Sequence, residues 1–119
     1  MAMTYKRLAG PLTATTSATS VYTVPQNTTT VVKEFIFTNY SAATATITVY
    51  IKEANVTLAD GHIIISDLSL AADETFSMSA SLVLHNDGGA ASDTTSDQIH
   101  IVASAGSSIN MVMNGIEDA

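Results

Sequence analysis

A chain of 119 residues without cysteine fits one domain, large enough to hold a core without disulfide or thiolate–zinc staples. Its formal charge of −7 and its scattered cations (Lys6–Arg7, Lys33, Lys52) argue against nucleic acid and anionic membranes as partners. Only 13% of the residues are charged, with Ser, Thr, Ala and Asn in their place, and such a surface suits a chain that faces another protein.

The opening MAMTYKRLAGPL has Lys6 and Arg7 but no apolar run behind them, so it does not read as a secretory signal. Residues 1–19 read as an N-terminal arm or edge segment, and 20–119 as a single sandwich domain. The thinly apolar start is expected to order on docking. Ala9-Gly10-Pro11 reads as a turn. Leu12 to Val24 alternates with few large side chains, as an edge strand or a strand against a neighbouring subunit would.

Further on, Phe35 and Phe37 alternate with Ile36 and Thr38, which predicts a strand apolar on both faces for part of its length. In Thr44 to Ile51, Ile47, Val49 and Ile51 point one way and Thr46, Thr48 and Tyr50 the other, the pattern of a half-buried antiparallel strand. Aliphatic runs such as Ile63-Ile64-Ile65 reach three residues, far short of the ~20 residues of a membrane helix. His85 to Gln98, HNDGGAASDTTSDQ, reads as a long polar loop. Ile99, Ile101 and Ala103 share one face, as do Ile109, Met111 and Met113.

No helical periodicity runs through the chain, and turn signals recur at short intervals. About seven to nine short strands spaced this way predict an all-β, antiparallel β-sandwich or jelly-roll-like fold. Strand order is not legible. The sequons at Asn27, Asn39 and Asn55 are expected by chance in so Ser- and Thr-rich a chain.

Chemistry is hard to find. His62 beside Asp60, and His85, Asp87, Asp93, Asp97 and His100 farther on, match no metal-ligand spacing and read as solvated turn residues. His100 alternates with Ile99 and Ile101, so it is expected to face solvent or a partner. No nucleophile elbow, phosphate loop or tryptophan platform is present. The expectation is a non-enzymatic protein with no cofactor.

The segment YTVPQNTTTVVKEFIFTNYSAATATITVYI, Tyr22 to Ile51, resembles the opening half of small tailed-bacteriophage virion proteins. There a Tyr-x-Val-Pro and Asn-Thr-Thr lead into a strand ending in Thr/Cys-Asn, followed by a Thr-rich strand ending in Tyr-Ile. Ile63 to Gly89 and Asp97 to Asp118 are similar to the second half, and together these segments cover about four-fifths of the chain. The family's compact Ala-Gly-Asp turn is expanded here into the His85–Gln98 loop.

The resemblance implies an oligomeric virion component, often a homotrimer, made in the host bacterial cytoplasm. One form is a capsid cement (decoration) protein on the outer capsid surface, bridging major capsid protein subunits. The alternative is a tail, baseplate or head-fibre accessory protein that contacts tail proteins, a receptor or a glycan. Candidate interface residues are Tyr5, Lys6, Arg7, Leu8 and Leu12 in the N-terminal segment, with Thr46, Thr48 and Tyr50 on the Thr-rich strand. Candidate loop residues are His85, Asn86, Asp87, Asp93 and Asp97.

Overall fold

Period-two alternation of β-branched and small residues leaves the chain one way to bury its apolar positions, as sheets packed face to face. The computed structural model describes residues 3–86 and 96–118, and these form eight strands. They are β1 (Met3–Thr13), β2 (Thr19–Thr23), β3 (Thr28–Asn39), β4 (Ala45–Glu53), β5 (Ile63–Leu70), β6 (Thr75–Asn86), β7 (Asp97–Ala103) and β8 (Ile109–Asp118). A short 3-10 turn at Asp60–His62 precedes β5; there the Ala59 N–H donates to His62 Nδ1 at 2.9 Å.

Two four-stranded sheets result, ordered β1-β8-β3-β6 and β2-β7-β4-β5, with every pairing antiparallel. The first strand lies on the eighth, the second on the seventh, the third on the sixth and the fourth on the fifth. This is one long ribbon folded back between β4 and β5, then rolled so that β3 also meets β8 and β4 meets β7. That nesting defines a jelly roll.

Between the sheets lie Val32, Phe35, Phe37, Ile47, Val49, Leu84, Ile99, Ile101, Ile109, Met111 and Met113, all essentially inaccessible. The Phe35 and Phe37 rings stack with centroids 5.8 Å apart. Each such aliphatic or aromatic side chain contributes roughly 1.5–3 kcal/mol by leaving water. The faces read from sequence for β7 and β8 are the buried ones. On β4, Ile47 and Val49 are buried as expected, but Thr48 of the opposite face is buried too and Ile51 is half-buried.

On β3 the sequence looked apolar on both faces because the strand changes face midway. Thr28, Thr30 and Val32 are buried before Lys33, and Phe35, Phe37 and Asn39 after it. The register shifts here against both neighbours: Lys33 is the extra residue against β8, whereas on β6 two residues, Ala80 and Ser81, stand opposite it.

The turn expected at Ala9-Gly10-Pro11 is not one. These residues lie inside β1, which keeps following β8 through two register shifts. Gly10, at φ 85°, absorbs the irregularity as a bulge, and a Cβ there would stand 2.2 Å from the Met111 carbonyl oxygen. Gly115 meets the same limit on β8: a Cβ would stand 2.2 Å from the Val31 carbonyl oxygen and 2.8 Å from Leu8 Cδ1.

Asn39 closes the corner between β3 and β4. Its amide nitrogen donates to the carbonyls of Ala43 (2.8 Å) and Leu70 (3.0 Å), and its oxygen accepts from the Ser41 N–H (2.9 Å) and hydroxyl (2.7 Å). With the side chain fully buried, this sequon offers no acceptor nitrogen at the surface.

Candidate interaction surfaces

The residues singled out from sequence are distributed over different parts of the roll. Along β1, Tyr5 and Arg7 stand on the outer face of the first sheet, in register with Ile116 and Asn114 of β8. Leu8 and Leu12 turn inward and pack against the core. Thr46 and Tyr50 lie on the outer face of the second sheet, so the structure does not gather the eight candidates into one patch. Thr48 is only 6% exposed; its hydroxyl donates to Asp67 Oδ1 (3.2 Å) and accepts the Asp67 N–H (3.0 Å). It is thereby committed to shaping β5, where Asp67 sits at φ 46°.

Lys6 belongs to a polar clasp at one end of the sandwich. Its Nζ lies 2.9 Å from Glu117 Oε1, while the Tyr22 hydroxyl donates to Glu117 Oε2 at 2.5 Å. That hydroxyl also shares a 2.7 Å bond with the buried Thr30 hydroxyl. Tyr22 comes from the second sheet, and Glu117, Thr30 and Lys6 from the first, so the cluster pins one sheet to the other. Burial pushes the Tyr22 phenol well above its ordinary value, and the Glu117 carboxylate adds to that. For Glu117, burial acts upward, but the Tyr22 hydroxyl and the Lys6 ammonium outweigh it and hold the carboxyl below its ordinary value.

On the outer face of the second sheet, Gln98 links three strands. Its Nε2 donates to Thr23 Oγ1 (3.1 Å), and its Oε1 accepts from Lys52 Nζ (3.4 Å) and meets His100 Nε2 (3.0 Å). His100 is half-buried, and its Nδ1 has no hydrogen-bond partner among the described residues. Burial first, then the Lys52 charge, lowers its pKa, which keeps the ring neutral near pH 7.

At the polar-loop end, Asn86 is buried and donates to the Val24 carbonyl at 3.1 Å, and the His85 N–H is capped by Asp97 Oδ2 at 3.0 Å. His85 and Asn86 border an open groove of about 310 Å³ with Asn27, Thr28 and Thr29. Asp87 and Asp93 lie outside the described residues. Among those described, no group of three or more His, Asp or Glu side chains is placed to hold a metal ion.

The outer face of the first sheet carries features that the sequence reading passed over. Tyr5, Ile116, Val31 and Val83 stand side by side in register across β1, β8, β3 and β6. The two end members are largely exposed, Tyr5 at 64% and Val83 at 58%. Beside this apolar row, Tyr5, Lys33, Glu34, Ser79, Ala80 and Ser81 line a second open groove of about 540 Å³. The signal for this face was the uncharged run TFSMSASLVL, but its exposure depends on a strand order that no local pattern encodes.

No family model matches the chain, and no curated protein matches it. Among solved structures, a chain in the structure of infectious bursal disease virus, Gx strain, aligns over 98% of this chain with a TM-score of 0.52 and 14% sequence identity. The fold is shared. The chain spans 32% of the length of that viral chain.

Proposed function

We propose that this protein is a virion structural component that works through its surfaces, of the capsid cement type. Eight-stranded jelly rolls serve viral capsids, lectins and cupins alike. The observation that carries the viral choice is the likeness, along nearly the whole chain, to a chain of a virus structure. It agrees with the resemblance of Tyr22–Ile51 and the later segments to tailed-bacteriophage virion proteins.

In this reading, oligomers of the chain sit on the outer capsid surface and bridge neighbouring major-capsid subunits. Low charge density and short hydroxyl side chains limit the desolvation and side-chain entropy lost in each contact. The function is then the added contact area across capsomer junctions.

Cosedimentation of the purified protein with capsids that lack it tests the reading. Hundreds of copies per particle, in a number matching the capsid lattice, are expected. A handful of copies, or binding to tails alone, overturns the cement assignment in favour of a tail, baseplate or head-fibre role. Attention then passes to the groove beside His85 and Asn86.

A further inference from the structure

Rolling eight strands into two open sheets leaves four edges, and three of them are blunted. Strand β1 carries Lys6 and Arg7 and is broken at Gly10–Pro11. Strand β2 has five residues and a register shift between Ser20 and Tyr22. Strand β5 bends at Asp67, a charged residue at φ 46° tied to Thr48. These are the devices that keep sheet edges from pairing with other chains.

Strand β6 lacks most of them. It runs for 12 residues at the edge of the first sheet, with no charged side chain and no proline. Asp97 closes only its end, by accepting the His85 N–H. The one irregularity in its pairing is the register shift at Ala80–Ser81 opposite Lys33, whose Nζ reaches the Ser81 hydroxyl at 3.1 Å.

Alternation along β6 is self-complementary. Phe76, Met78, Ala80, Leu82 and Leu84 face the sandwich interior, and Thr75, Ser77, Ser79, Ser81 and Val83 face out. Phe76 remains 37% exposed, and Met78 and Leu82 are half-buried at the open flank of the core.

We propose that β6 pairs antiparallel with β6 of a second copy, across a two-fold axis near Ser79 or Ala80, joining two four-stranded sheets into one of eight strands. A two-fold axis perpendicular to the sheet sets inward residues against inward ones. Centred on Ser79, it places Phe76 opposite Leu82 and Met78 opposite Ala80, with serines opposite serines outside. Centred on Ala80, it places Met78 opposite Leu82 and Phe76 opposite Leu84.

Both registers cover the half-exposed core residues with their own kind. The neutral seam permits this occupant. Two copies of a chain at −7 repel, and a seam with no charged side chain from Thr75 to Leu84 lets them meet without placing like charges face to face. The contact is independent of the virion reading, and in a trimeric cement protein it would link one trimer to the next.

The test uses the full chain. Sedimentation equilibrium should show reversible pairing of the wild type, and Ser79→Lys should raise the dissociation constant about tenfold or more, because ammonium groups then crowd the seam. Ser79 is exposed, so its circular dichroism spectrum should match that of the wild type. The natural chain has no cysteine, so a single introduced thiol reports only on a second copy. Under mild oxidation, Ser79→Cys or Ala80→Cys should form a reducible dimer according to the register, and Thr16→Cys, on the exposed β1–β2 loop, should not. A wild-type chain that stays monomeric overturns the proposal and leaves the edge for a strand of another protein. Association unmoved by Ser79→Lys, or equal cross-linking through Thr16→Cys, overturns it as well.

Discussion

Replacing Tyr22 with Phe removes one oxygen and tests how the two sheets are held together. The hydroxyl makes two bonds, one to the buried Thr30 hydroxyl at 2.7 Å and one to the Glu117 carboxylate at 2.5 Å. A neutral bond contributes about 1 kcal/mol and a bond to a charged group about 1.5–3 kcal/mol. Because Lys6 still pairs with Glu117 and water reaches that carboxylate, the expected loss is about 2–3 kcal/mol. With a urea m-value of about 1–3 kcal/mol/M, the unfolding midpoint should fall by roughly 1 M at unchanged slope. The Glu117→Gln change should couple to Tyr22→Phe in a double-mutant cycle, because both act on the same bond.

Acid should reveal the same clasp. Glu117 is depressed in the folded chain, so its contribution is fully present above its unfolded pKa, near 4.5, and is lost as pH falls through the lower folded value. Stability of the wild type should therefore fall below about pH 4.5 more steeply than that of Glu117→Gln. A Tyr22→Phe chain within about 0.5 kcal/mol of the wild type, or strictly additive single changes, would refute the clasp as a bond between sheets.

Other perturbations probe the places where the roll is tightest. Gly115→Ala drives a methyl to 2.2 Å from the Val31 carbonyl and should cost about 2 kcal/mol or more in chemical unfolding, since backbone must move. Asn39→Ala removes a buried side chain with four hydrogen bonds, leaving the Leu70 carbonyl without that donor; a loss of about 3 kcal/mol is expected, read as a lower thermal midpoint. His100→Leu should leave stability within about 1 kcal/mol of the wild type, because the ring is already neutral and offers Nδ1 no partner among the described residues.

Legibility in the sequence tracked the range of the interaction. Strict alternation along Ile99–Ala103 and Ile109–Met113 reports a local property, which side chains share a face, and those faces are buried. Where the period slips, as at Lys33, alternation blurs into a strand apolar on both sides, although each half obeys it. Gly10–Pro11 carries turn residues, but positive φ at a glycine serves a bulge as well as a turn, and only the neighbouring β8 decides between them. Strand order joins residues as far apart as Met3 and Asp118, and nothing in either residue names the other. For the same reason the candidate interface residues, chosen by segment, divide among the core, a clasp and two outer faces. The β6 edge went unread because a charge-free serine-rich strand gains meaning only once it is known to be last in its sheet.

The N-terminal segment shows how folding and docking can be separated experimentally. Residues 3–13 of the 1–19 segment form β1, which pairs with β8 and supplies Leu8 and Leu12 to the core. Removing 1–19 therefore strips a strand, bares the β8 edge beside Met111 and Met113, and breaks the Lys6–Glu117 pair. Such a chain should be less stable and prone to edge pairing, and its failure to bind capsids would say nothing about contact. Truncation of residues 1–5 leaves Lys6, Leu8 and Leu12 in place and removes the exposed Tyr5 and Met3. It should unfold within about 1 kcal/mol of the full chain, since residues 3–5 carry exposed side chains and make only the last pairs of an edge strand. If the N-terminal segment is the docking element, this stable chain should cosediment with capsids at a fraction of the wild-type copy number. Full binding by it would move the contact to the outer faces of the two sheets.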